Sequence, residues 1–150
     1  MSQLDKYQSA MLAAFPDVSE EKLLRELDSN GAEFAAFIID HGLGPQWHLR
    51  TARAEFHDSR LAAEALFLAQ EHALKDIHEV LEASGVEYAL IKGAANRLAL
   101  YSNPAIRACH DLDLLVHPDD RVQAAFALVD TGFVAEPAVP VLSTPENRLG

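Results

Sequence analysis

A one-sided helical pattern running from about Arg60 to Ala83 leaves this chain few ways to fold. Ala62, Leu66, Ala69, Ala73, Ile77 and Val80 recur at steps of three or four, which places them on one stripe of a helix. Glu64, Glu71, Lys75, Asp76 and Glu79 fall largely off that stripe. Ser84-Gly85 closes the pattern, because glycine enters the left-handed cap conformation without a Cβ penalty. A helix this long with a single apolar stripe must bury it against a partner surface, and the residues that follow offer a sheet. Val86 to Ile91 is a short β-rich run, and Lys92-Gly93 breaks it. Ala94 to Leu100 resumes helical spacing until Asn103-Pro104. Asp111 to His117 reads as a second strand. Pro118 then opens a helix with Asp119-Asp120 in its first turn, lined by Val122, Ala125, Phe126 and Val129 and stopped by Gly132. Phe133 to Val141 is expected to hold a third strand, which Pro137 and Pro140 confine to an edge or to its first residues.

Residues 1–45 read as short helices. Asp17-Val18-Ser19-Glu20 is expected to form a capping box, with Asp17 as N-cap and Glu20 reaching back to it. The helix it opens runs through Leu23, Leu24 and Leu27 to Ser29-Asn30-Gly31. A second, from about Ala32 to Asp40, carries Phe34, Phe37, Ile38 and Ile39, and the two are expected to make a helical hairpin. Trp47 is expected to anchor this prefix against the long helix. The organisation is therefore a helical prefix over residues 1–50 and an α/β or α+β core over residues 51–150.

The chain has 150 residues, 49% of them hydrophobic, enough for one domain with a real core. A net charge of −11 weighs against a general nucleic-acid partner such as DNA, because neutralising phosphates needs a basic face. It leaves room for a small anionic ligand whose charge is carried by metal ions. A single cysteine, Cys109, rules out an internal disulfide framework and suits a reducing compartment. No run of apolar residues is long enough to span a membrane, and Met1-Ser2-Gln3-Leu4-Asp5-Lys6 lacks the pattern of a secretory signal. A cytoplasmic location away from membranes is expected. The histidines show no tight metal-ligand spacing.

Chemistry concentrates in one segment. In Asp111-Leu112-Asp113-Leu114-Leu115-Val116, strand alternation sends Leu112, Leu114 and Val116 to one side and the two aspartates to the other. Their carboxylates then lie roughly 6.5–7 Å apart along the strand. Paired carboxylates bind hard divalent cations, and a nucleoside triphosphate can supply further oxygens. In Leu90-Ile91-Lys92-Gly93-Ala94-Ala95 a strand runs through a glycine into a helix, whose N-terminus presents free N–H groups to a phosphate. Lys92 can add a point charge there. Arg107, four residues before Asp111, can pair with a phosphate or with the carboxylates.

Strand, Lys-Gly turn, helix, arginine and Asp-x-Asp strand in that order resemble the nucleotidyltransferase superfamily. More closely, LIKGAANRLALYSNPAIRACHDLDLLVHPDD is similar to the uncharacterised nucleotidyltransferase family, over about Leu74 to Phe133. The resemblance implies an α+β fold with a nucleotidyltransferase-like (polymerase-beta-like) mixed sheet. It implies transfer of a nucleoside monophosphate from an NTP to an acceptor that the sequence does not identify, with Mg²⁺ or Mn²⁺ as cofactor. Asp111 and Asp113 would be the catalytic, metal-holding residues. Lys92, Gly93, Ala94 and Arg107 would bind the nucleotide.

The chain departs from that pattern at two points. The superfamily usually has Gly-Gly or Gly-Ser at the turn, and here the pair is Gly93-Ala94. A third carboxylate normally comes from a later strand, yet only Glu136 and Glu146 follow Phe133, amid Pro137, Pro140 and Pro145. The core is therefore expected to be C-terminally incomplete, and the chain catalytically weak or inactive as it stands. A homo-oligomer or a partner covering the incomplete sheet is then expected. Two other functions stay open: a toxin-type nucleotidyltransferase acting on tRNA or protein, and a degenerate, non-catalytic nucleotide-binding or interaction protein.

Overall fold

The long helix forms as α4 (His57–Ala83) in a computed structural model that describes residues 2–107 and 109–134. Its buried line is rotated from the expected stripe. Ala63, Gln70 and Ile77 turn inward two helical turns apart and Leu81 completes the line, while Ala62 and Ala69 face solvent. The reason is Gln70, a polar residue at the middle of the buried line, which no apolar pattern registers. The expected stop holds, with Gly85 at φ +68°.

Before α4 lie α1 (Gln3–Ala10), α2 (Glu20–Asp40) and α3 (Gly44–Thr51). The cap of α2 is Ser19, whose side chain accepts from the Lys22 N–H, and not Asp17 as expected. Asp17 lies inside a turn closed by the Val18 N–H on the Phe15 carbonyl, two residues too early to cap. Within α2, Gly31 takes φ +67° and ψ −163°, a conformation open to glycine, and breaks the helix where Ser29-Asn30-Gly31 predicts. Residues from both sides of the break share one core with α3. Trp47, Phe34, Phe56, Leu23 and Ile38 are fully buried there. The Trp47 indole N–H donates to the Ala10 carbonyl at 2.8 Å, with Phe34 edge-on to its ring. Arg50 ties the α1–α2 connection down by donating to the carbonyls of Ala13, Phe15 and Val18.

After α4 come β1 (Tyr88–Ile91), α5 (Lys92–Leu100), β2 (Asp113–Val116) and α6 (Arg121–Asp130). β1 and β2 pair antiparallel, from Tyr88 opposite Val116 to Ile91 opposite Asp113. Among the described residues the sheet is this pair alone, where a mixed sheet was expected. The coarser expectation holds, a mostly helical chain with a small sheet in an α+β arrangement. β2 starts at Asp113 and not at Asp111, since its partner β1 ends at Ile91, where α5 begins. Phe133 and Val134 are not in a strand, and the rest of the expected third strand, with Glu136 and Glu146, lies outside the described residues.

Ile77, Leu81, Val86 and Ala124 form the second core, with Leu112, Leu114, Val116 and Leu128 packed against it. Leu112, Leu114 and Val116 thus turn inward as expected, while Leu115 on the opposite face is exposed. α6 is rotated instead: Ala124 and Leu128 face the core, while Val122, Phe126 and Val129 of the expected stripe are exposed. Both faces of α6 are apolar, so periodicity alone cannot choose between them, and the small Ala124 allows the closer approach to α4. No described helix is long and apolar enough to cross a membrane.

Candidate functional site

The end of β1 and the start of β2 meet at the Ile91–Asp113 pair, and the chemistry gathers around it. The next residue, Lys92, carries φ +54°, the left-handed region that a side chain makes costly by about 1–3 kcal/mol. This conformation accompanies a reach across to β2, where the Lys92 ammonium donates to Asp113 Oδ1 at 2.9 Å. That hydrogen bond and the Asp113 charge hold the ammonium pKa above the ordinary lysine value, and the charge of Asp111 adds to the effect. Among the described residues the ammonium pairs directly with Asp113 alone. Asp113 is partly sheltered, with 27% of its side chain exposed, whereas Asp111 is exposed and lies just before the strand.

Gly93 is demanded by close packing, not by its own backbone angle. A Cβ there would lie 2.9 Å from Cys109 Sγ and 3.4 Å from Arg107 Nη1. Arg107 itself donates to the Gly93 carbonyl at 3.1 Å, so its guanidinium grips the turn and does not pair with Asp111 or Asp113. The Ala94 side chain is buried, which leaves only its backbone N–H for a ligand. Among the described residues no side chain caps the first turn of α5, so its N–H groups lie at the mouth of the site without a side-chain partner among them.

Two residues that sequence reasoning passed over lie directly behind this turn. Arg97 of α5 is 3% exposed, and its Nη1 donates to Gln70 Oε1 at 2.7 Å. Gln70 Nε2 in turn donates to the Cys109 carbonyl at 2.8 Å. The Arg97 guanidinium also lies over the Phe67 ring, 4.8 Å from its centroid. A glutamine and an arginine on helices read as solvent-facing residues. The two-turn spacing of Ala63, Gln70 and Ile77 is the one signal that could have placed Gln70 inside.

Among the described residues no three His, Cys, Asp or Glu side chains converge as a metal cluster. His72 and His78 each sit near an acid one turn on, Asp76 and Glu82. The donor set at the turn is thus two carboxylates. Hard oxygen ligands of this kind suit Mg²⁺ or Mn²⁺ when water and phosphate oxygens complete the shell.

One carboxylate at the end of the sheet and a second just before the strand, beside a Lys-Gly turn and a helix start, make an arrangement suited to handling phosphates. The model of the family described as uncharacterised nucleotidyltransferase matches residues 38–143, and the chain belongs to that family. The matched region begins within α2 and contains both the Lys92-Gly93 turn and the Asp111–Asp113 pair. Membership supports a general role in nucleotidyl transfer. No curated protein and no solved structure matches the chain.

Proposed function

We propose that this chain transfers a nucleoside monophosphate from an NTP to an acceptor, in a Mg²⁺-dependent reaction on a polymerase-beta-like core. The observation that carries the reading is the Lys92 ammonium on Asp113, in the field of Asp111, at the uncapped start of α5. Asp111 and Asp113 would hold the metal, which supplies charge neutralisation at the phosphates. With Asp113 so engaged, Lys92 is free to turn to a phosphate oxygen as a point charge. The backbone N–H groups of Gly93 and Ala94 receive phosphate oxygens, and Arg107 keeps the turn in shape through the Gly93 carbonyl. In the transfer, an acceptor oxygen or nitrogen bonds to the α-phosphorus as the bond to the bridging oxygen breaks. Pyrophosphate leaves, and the acceptor's proton passes to solvent water. The chain's part is to orient and neutralise.

Thermal unfolding with each of the four NTPs, with and without Mg²⁺, tests this. A triphosphate at a hundred times its Kd adds about 2.7 kcal/mol to the folded state. One NTP is expected to raise Tm only with Mg²⁺, and Asp113→Asn to abolish the rise. A flat response to all four in cooperatively folding protein overturns the reading, and binding without turnover moves it to a non-catalytic nucleotide binder.

A further inference from the structure

A buried arginine held by a neutral amide is an expensive arrangement. Taking its charge out of water costs several kcal/mol, and a well-packed apolar pair of similar volume is often as stable or more so. Among the described residues Arg97 makes no ion pair, and its buried Nε has no hydrogen-bond partner. The compensation is geometric. Arg97 belongs to the helix that opens at Lys92-Gly93, and Cys109 belongs to the segment that delivers Asp111 and Asp113. Gln70 stands between them on α4.

The guanidinium donates and never accepts, so the Gln70 amide must present its oxygen to Arg97. Its NH₂ group is thereby aimed at the Cys109 carbonyl, which it reaches at 2.8 Å. Cys109 passes this placement on in two directions. Its Sγ donates to the Asp111 carbonyl at 3.1 Å and occupies the space that a Cβ on Gly93 would need. We propose that Gln70 and Arg97 are positioning residues of the nucleotide site, acting through the Cys109 carbonyl to hold the Asp111–Asp113 segment against the Lys92-Gly93 turn. The proposal rests on the nucleotidyl-transfer reading above for the identity of the ligand.

Gln70→Glu separates this role from mere packing. The substitution keeps a partner for Arg97, now as an ion pair, and replaces the donor to Cys109 with an oxygen that repels its carbonyl. The variant is expected to fold, to bind the Mg²⁺–NTP complex that wild type binds about 10–100-fold more weakly, the usual cost of losing such a support, and to have its single thiol alkylated faster by iodoacetamide. Gln70→Met, close in volume, removes both hydrogen bonds and is expected to behave likewise. A folded Gln70→Glu with wild-type NTP affinity overturns the proposal, and so does failure of both variants to fold, which would make the pair a folding element. If wild type itself binds none of the four NTPs, the transfer reading fails. Alkylation then decides alone: equal rates in wild type and Gln70→Glu overturn the brace, and a faster variant sustains it.

Discussion

Trp47 and Leu81 are both completely buried, yet they anchor cores of different kinds. Around Trp47 the large side chains of Phe34, Phe56, Leu23 and Ile38 are closed off from solvent. Around Leu81 the neighbours Ile77, Val86 and the small Ala124 are buried but not fully closed off, and the strand residues packed on them are half-buried. A two-stranded sheet covered on one face is marginal by itself. The sheet region compensates with polar fastenings: Gln70 on Cys109, Arg107 on Gly93 and Lys92 on Asp113. Such fastenings give one defined geometry at modest net stability. The candidate site is thus built in the region with fewer fully buried side chains.

The sharpest way to break this comparison is to empty each core. Trp47→Ala is expected to cost about 3–5 kcal/mol, because it opens a large cavity and strips the Ala10 carbonyl of its donor. Leu81→Ala is expected near the lower end of the roughly 2–5 kcal/mol range for such truncations, since half-buried neighbours can close over the gap. Urea unfolding of the two variants measures both. If Leu81→Ala proves the costlier, the sheet core is the denser one and the comparison fails.

The difference between the regions also explains what could be read from the sequence. Breaks set by glycine and proline were legible, at Gly31, Gly85 and Pro118, because backbone permissions are local. So were the two strands and the inward face of Leu112, Leu114 and Val116, which period-two alternation fixes. The core around Trp47 announced itself through its large apolar residues. Illegible were the features that depend on what lies opposite in space. Gln70 faces inward only because Arg97 and the Cys109 carbonyl meet it there. Gly93 is fixed as glycine because Cys109 Sγ presses on it, which leaves no periodic trace, and Gln70 leaves only the faint one of its two-turn spacing from Ala63 and Ile77. The N-cap of α2 slipped from Asp17 to Ser19 for a different, local reason, a turn closed on the Phe15 carbonyl just upstream. On α6 two apolar faces competed, and the smaller residues won the contact with α4.

That outcome on α6 sharpens the comparison further. Phe126 is 67% exposed and lies on the same outer face as Val122 and Val129. Phe126→Ser is therefore expected to change stability by no more than about 0.5 kcal/mol, as for other surface substitutions. A loss of 2 kcal/mol or more, seen by the same urea titration, would mean that this face is covered in solution and that the sheet region is less thinly packed than Leu81 suggests.

The smallest expected effect lies at the far edge of the helical region, where Lys6 of α1 pairs with Glu33 of α2. The hydrogen bond from Lys6 and then its charge hold the Glu33 carboxyl below its ordinary value of 4.5. A carboxyl depressed by folding stabilises the native state above its unfolded pKa, and that contribution fades as pH falls through the lower folded value. The Tm gap between wild type and Glu33→Gln should thus be level from about pH 7 to about pH 5 and close as the solution becomes more acidic. Because Glu33 is well exposed, the gap itself is small. A gap independent of pH would show that the charge on Glu33 adds nothing to the contact between α1 and α2, which would then rest on apolar side chains and on the Tyr7–His41 hydrogen bond.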